Sequence, residues 1–236
     1  MPKFILLILI FVLACTQNKN DAEDISETID TTEKTIPIDQ ITANKNSHNI
    51  NFDLLVKNYE DPERKNWQNP QLVIEKLGDI SGKIIADIGA GTGYFTFRLA
   101  PLAQKVIAID IDSRFLSYIE DKRDESPEEI YEKIEIRLSK PEDPLLKNSE
   151  IDIVLIVNTF HFINNRIDYL KKVKQGIRDG GKLVIVDFKG GNMPVGPSED
   201  TKISPSMVVD EVMKSGFGDV NIDLTSLQYQ YIIIAM

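Results

Sequence analysis

The stretch from Ile84 to Asp112, IIADIGAGTGYFTFRLAPLAQKVIAIDID, constrains this chain more than any other. Ile84 to Ile88 is a short apolar run rich in β-branched residues, bounded by Gly82 and Gly89, and reads as a buried parallel strand. A glycine turn follows at once: Gly89, Ala90, Gly91, Thr92, Gly93. Phe95, Leu99 and Leu102 then recur at helical spacing, so the turn opens a helix. A second strand, Lys105 to Ile109, ends on Asp110. Strand, glycine turn, helix, strand and acid make up half of a doubly wound nucleotide-binding α/β fold.

Each residue type has a chemical reason. Glycines let backbone pass close to a ligand at dihedrals a β-carbon forbids. A carboxylate at the tip of the second strand can accept both hydroxyls of a ribose. Asp110 lies 19 positions after Gly91, near the ~20 expected of a ribose-binding acid. A dinucleotide turn would read GxGxxG; here the third glycine is one position early, and Tyr94 stands where that pattern wants glycine.

The stretch instead resembles the first motif of the class I S-adenosylmethionine-dependent methyltransferases, an acid before a GxGxG turn, as in Asp87-Ile88-Gly89-Ala90-Gly91-Thr92-Gly93. The layout is similar to the small-molecule group of type 11 that includes quinone-biosynthesis enzymes. The resemblance covers about residues 58–236. It implies a Rossmann-like, doubly wound, seven-stranded and mostly parallel sheet with an antiparallel C-terminal hairpin. It also implies S-adenosyl-L-methionine as cofactor and methyl transfer to a small-molecule acceptor. Gly89, Ala90, Gly91, Thr92 and Gly93 would cradle its amino-acid and ribose parts, Asp87 would orient the turn, and Asp110, with Ile111 beside it, would grip the ribose.

The rest of the chain fills in the fold. Asn69-Pro70 starts a helix carrying Leu72, Val73 and Leu77, which Gly78 can cap. The preceding RKNWQNP string offers two readings. Tyr59, Arg64 and Trp67 form a lid, or Trp67 packs on the sheet edge and Arg64 pairs with a carboxylate. Asp112 can cap a helix bearing Phe115, Leu116 and Ile119, with a charged surface stretch from Lys122 to Tyr131. Ile134 to Leu138 alternates as a third strand. In the following loop either Glu142 or Asp143 is the acid that, in this superfamily, often faces the adenine amino group.

Asp152 to Val157 is a further buried strand, ending in Asn158-Thr159-Phe160-His161-Phe162. Ligands sit outside the carboxyl ends of parallel strands, so Asn158 and His161 are the candidates to face the reacting methyl. His161 is either a general base for a hydroxyl nucleophile or a packing histidine. Phe160, Phe162 and Met193 hint at an apolar acceptor pocket. Ile163, Ile167, Leu170, Val173 and Ile177 trace a helix face. Asp179-Gly180-Gly181 turns into a fifth strand from Lys182 to Asp187, and Gly190 to Pro197 is a loop. Ser204-Pro205 starts a helix with Val208, Val212 and Met213 inward and Gly216 at its end. Val220–Leu224 and Tyr229–Ile234 close the chain as a hairpin.

The N-terminus has a different character. Lys3 precedes an apolar run of 11 residues, Phe4 to Ala14, fitting a signal h-region and short for a membrane span. Cys15 follows Val12-Leu13-Ala14, which resembles a bacterial lipoprotein cleavage box. This reading makes 1–14 a signal peptide and Cys15 a lipid-anchored residue; the alternative is an uncleaved anchor. Either exports the remainder. Residues 16–50 carry three Lys against seven Asp or Glu, a net of −4, and no aromatic residue. Their composition reads as a disordered tether ending near His48, with the domain running from 51 to 236.

The net charge of −10 argues against nucleic acid as partner. One cysteine and two histidines argue against a metal centre. Export conflicts with a cofactor made in the cytosol. An exported lipoprotein that keeps this fold as a ligand- or partner-binding module is therefore the second reading. No stretch points to a protein partner.

Overall fold

The computed structural model describes residues 52–236. The leader from Lys3 to Ala14, Cys15, the tract 16–50 with His48, and Asn51 lie outside the described residues. Three helices open the domain: α1 (Phe52–Tyr59), α2 (Arg64–Gln68) and α3 (Pro70–Lys76). Asn69 explains the last boundary. It sits at φ 43°, its side chain accepts from the Leu72 N–H, and Pro70 supplies a preset φ at the first helical position.

Strand β1 (Ile84–Ile88) leads through the glycine turn into α4 (Thr96–Leu99) and β2 (Lys105–Asp110). Helix α5 (Ser113–Asp124) is capped by Asp112, whose carboxylate accepts from the Arg114 N–H at 2.9 Å. Short α6 (Glu128–Tyr131) precedes β3 (Ile134–Leu138) and β4 (Ile151–Val157). A 3₁₀ turn over Phe160–Phe162 leads to α7 (Arg166–Gly176), β5 (Ile177–Phe188), α8 (Pro205–Lys214), β6 (Asn221–Asp223) and β7 (Gln230–Ala235).

The seven strands form one sheet in the order β3-β2-β1-β4-β5-β7-β6. All neighbours are parallel except β5–β7 and β6–β7. The expected α/β architecture, with its antiparallel C-terminal pair, is therefore present. Strands flanked by helices on both faces must be apolar throughout. Accordingly Ile85, Ala86, Val154, Leu155, Val184 and Ile185 are fully buried. One core lies between the sheet and Val73, Leu77, Leu99, Leu116 and Ile119; the other takes Leu170, Val173, Val208 and Val212. Burying each such side chain contributes roughly 1.5–3 kcal/mol.

Several expected details differ. Helix α4 is a single turn, and Leu102 is exposed beyond it. Ile163 precedes α7 and Ile177 begins β5, so Tyr169 joins Leu170 and Val173 as that helix's buried face. Met213 points to solvent. Strand β5 starts five residues before Lys182. Ile177 pairs with Ile151, and Lys182 with Ile153, so Arg178–Gly181 bulges out between them. Arg178 ties that bulge to Asp152 at 3.2 Å.

The order of strands reverses beside β1, where β2 lies on one side and β4 on the other. The crevice at such a switch point, outside the carboxyl ends, is where open α/β sheets take ligands.

Candidate functional site

A cavity of about 370 Å³ occupies that crevice. The ends of five strands contribute to it: Ile88 with the glycine turn, Asp110, Ser139, Val157-Asn158 and Phe188. The turn is folded onto β2. The Gly89 and Ala90 N–H groups both donate to the Ile109 carbonyl, at 2.8 and 3.1 Å, and Gly91 donates to the Asp110 carboxylate at 2.8 Å. Glycine at 89 is imposed twice over. Its φ is +73°, and a Cβ would lie 2.3 Å from the Thr159 side chain.

Asp110 is fixed from both sides, since its other carboxylate oxygen accepts from the Asp112 N–H at 3.0 Å. Burial raises its pKa, partly offset by those backbone donors. Asp87 is deeper. It does not line the cavity; its carboxylate accepts from Thr96 Oγ1 at 2.7 Å, tying β1 to the first residue of α4. Burial pushes Asp87 up to about 6. Gly93 also stands behind the wall, against the Phe97 ring. Ala90, Gly91, Thr92, Asp110 and Ile111 are on it.

Glu142 and Asp143 are corrected. Neither lines the cavity. Asp143 accepts from the Leu145 N–H and pairs with Lys172 at 3.1 Å, while the Glu142 carbonyl takes the same ammonium. Ser139, Lys140 and Pro141 form the wall there instead. The Asp143 carboxylate caps its own loop and pairs with Lys172, which commits it away from the crevice.

Asn158 reaches the wall at φ 56°, but its carboxamide is committed. Asn158 Nδ2 donates to Gln68 Oε1 at 2.8 Å, Gln68 Nε2 donates to Gln230 Oε1 at 2.7 Å, and Gln230 Nε2 donates back to Asn158 Oδ1. This closed ring of three amides joins α2, β4 and β7. It holds the N-terminal helices over the site and leaves Asn158 a bracing role. His161 does line the cavity, with Nδ1 2.8 Å from the carboxylate of Asp187. Phe160 is wholly in the core and lines neither the cavity nor its neighbour, unlike Phe162 and Met193.

Tyr59, Arg64 and Trp67 all line the cavity, as the lid reading requires. The Tyr59 ring stacks on Phe115 at 5.3 Å and lies over Gly91. Burial, with the charge of Asp110, pushes its hydroxyl up to about 12. Trp67 packs on Phe188 at 5.7 Å, so part of the packing alternative also holds. Among the described residues Arg64 forms no ion pair with a carboxylate. Its Nη1 donates to the Tyr59 carbonyl at 2.9 Å, and its guanidinium covers one face of Tyr94 at 3.9 Å while Arg98 covers the ring at 3.6 Å. Burial pulls it down to about 10, which leaves it a cation at neutral pH. Glu60 and Asp87 favour its charged form without forming an ion pair with it, and a cation so buried gains from an anionic partner in contact.

The comparisons with known proteins fit this geometry. Residues 86–185 match the family model described as a methyltransferase domain. The chain is 29% identical over 173 residues to the tRNA U34 carboxymethyltransferase of Desulfotalea psychrophila, covering 68% of this chain and 52% of that protein. It is 28% identical over 121 residues to the demethylmenaquinone methyltransferase of Tropheryma whipplei, covering 51% and 48%. The chain thus spans about half the length of these curated relatives. A solved S-adenosylmethionine-dependent methyltransferase from Aquifex aeolicus superposes with a TM-score of 0.69 at 23% identity, over 77% of this chain and 96% of that one. The fold is the α/β methyltransferase fold.

The cavity wall also holds what the sequence reading missed. Three lining residues carry a buried polar atom with no hydrogen-bond partner: Asn58 Nδ2, Arg64 Nε and Thr92 Oγ1. Buried polar groups are rarely left so, and these three leave hydrogen-bonding capacity on the cavity wall, while Tyr94, Arg123 and Tyr231 carry such atoms away from it. The spacing of Asn58 from the glycine turn gives no sequence signal. Asp187, at the end of β5, reads in sequence only as the last residue of an apolar run.

Proposed function

We propose that this protein is an S-adenosylmethionine-dependent methyltransferase acting on a small-molecule acceptor. The observation that carries the reading is the cavity at the switch point. It combines the fixed Asp110 carboxylate with unsatisfied polar atoms on Asn58, Arg64 and Thr92. These residues suit the cofactor's parts. Asp110 has lone pairs left for ribose hydroxyls, Ile111 offers an apolar face for a base, and the glycine turn with Thr92 offers close backbone. Arg64 supplies the cation that a carboxylate needs. Bound there, the cofactor supplies an electrophilic methyl group. The chain's task is to hold that methyl and the acceptor in line and keep water out.

A small acceptor is supported by the demethylmenaquinone relative. The tRNA-modifying relatives name a polynucleotide, but a formal charge of −10 opposes phosphate binding. We also read Lys3–Ala14 and Cys15 as a leader that exports the chain and anchors it by lipid.

Calorimetric titration of the full chain with S-adenosylhomocysteine tests the cofactor reading. Micromolar binding is expected. Asp110→Ala and Arg64→Met each remove a charge-assisted contact of roughly 1.5–3 kcal/mol, so affinity falls about ten- to a hundredfold. A folded wild-type chain that does not bind overturns the reading and leaves an exported binding module.

A further inference from the structure

We propose that the acceptor is a hydroxyl compound with an apolar body, deprotonated by His161, and that Asp187 is the positioning residue that makes His161 a base. The proposal rests on the cofactor reading and names the acceptor of that same site. Asp187, 2% exposed at the end of β5, is saturated with donors. It accepts from the His161 N–H at 3.1 Å, from the Phe188 N–H at 2.8 Å, and from His161 Nδ1 at 2.8 and 3.0 Å. A carboxylate offers only acceptors, so Nδ1 must be the protonated nitrogen. The neutral ring then presents a bare lone pair at Nε2. No group among the described residues hydrogen-bonds Nε2, and the ring, 3% exposed, borders the cavity. The Phe162 ring, 4.1 Å away, holds it from the side.

The surroundings select the acceptor. An ammonium would need an acid with a free face. Asp110 is held by the Gly91 and Asp112 N–H groups and, in the cofactor reading, its remaining lone pairs go to the ribose; Asp87 is bound to Thr96, Asp112 to Arg114, and Asp187 to the three donors named. A hydroxyl needs only the Nε2 lone pair. Beyond Trp67 and Phe188, which belong to both walls, lies a second chamber of about 520 Å³. Met193, Pro194 and Val195 line it with those aromatics, and its acids Asp61, Glu63 and Glu199 are each held by neighbours. An apolar body fits there while its hydroxyl reaches His161. In the transfer the hydroxyl oxygen bonds the methyl carbon as the carbon–sulfur bond breaks, its electron pair going to sulfur. The hydroxyl proton passes to Nε2 and is later lost to water. The products are the methyl ether and the thioether.

The chain has two histidines, His48 and His161, so ¹⁵N-histidine spectra of the full chain with S-adenosylhomocysteine resolve the tautomer directly. Wild type is expected to show His161 protonated at Nδ1 and bare at Nε2. In Asp187→Asn the amide can face Nδ1 with its N–H, and the proton moves to Nε2. With 2-naphthol as probe acceptor, Asp187→Asn and His161→Ala are expected to lose at least about a hundredfold in transfer rate, while still binding S-adenosylhomocysteine. Protonated Nε2 in wild type, or an unchanged tautomer in Asp187→Asn, overturns the base assignment. Absence of transfer to 2-naphthol, or transfer only to 2-naphthylamine, overturns the acceptor class. Failure of wild type to bind S-adenosylhomocysteine is the separate failure of the cofactor reading.

Discussion

At the residue scale the site sets buried charge against function. Asp87 is the sharpest case. An unfolded aspartate titrates near pH ~4, whereas burial pushes this one up to about 6. Between those values the folded chain holds a proton that the unfolded chain has released, so Asp87's contribution to stability declines as pH rises through that window. Below about pH 4 it imposes no penalty, and above about pH 6 the ionised carboxylate costs roughly 3 kcal/mol. Glu150 runs the other way. Its bond to Arg137 holds it at about 2, so its stabilisation is full above the ordinary glutamate range and is lost toward pH 2. Comparing wild type with Asp87→Asn isolates the first effect. The variant is expected to gain about 2–3 kcal/mol relative to wild type between pH 4 and 7.5, measured by urea midpoints at both pH values. Asp87 was legible as the acid before the turn, and Asp110 as the acid 19 residues past Gly91, because chain-local spacing fixes both. That Arg64 forms no ion pair among the described residues was not, because it depends on which carboxylates the fold brings near.

At the scale of elements, the amide ring of Gln68, Asn158 and Gln230 links α2, β4 and β7 across as many as 162 positions of sequence. Removing one member leaves the other two each short of a partner. Gln68→Met preserves bulk and chain length, so its effect isolates the hydrogen bonds. It is expected to cost about 1–3 kcal/mol for each orphaned group, seen in urea unfolding. Because α2 also begins with Arg64, the same variant is expected to weaken S-adenosylhomocysteine binding with no change at the contact itself. Unchanged affinity would show that Arg64 is held without the ring. Strands β1, β2 and β4 were legible because helices on both faces demand unbroken apolar runs. The start of β5 was not, because Ile177 fits the helical period of α7 before the chain reverses. Gln68 stood out in the sequence only as a member of the RKNWQNP string; its place in the amide ring was not legible, since a polar residue in a short helix reads as solvated surface until the sheet end buries it.

At the scale of the whole molecule, the architecture collects lining residues from strand ends far apart in sequence, and the proposed leader would decide where they operate. The two proposals make opposite demands: a leader directs export, and the proposed cofactor is made in the cytosol. The proposed anchoring at Cys15 makes the demands separable, because lipidation would require that one thiol while the cavity's lining lies within residues 55–197. In bacteria expressing the full chain, labelled palmitate is expected to enter the wild type and not Cys15→Ser, and the variant is expected to leave the processed membrane fraction. S-adenosylhomocysteine binding by the solubilised proteins is expected to be equal, since no residue of the cavity changes. Protease then distinguishes the compartments. Cleavage of the wild-type domain in intact spheroplasts places the site outside, where turnover depends on an external supply of cofactor. Unlabelled, protected wild type overturns the anchor and leaves a cytosolic enzyme with its cofactor at hand.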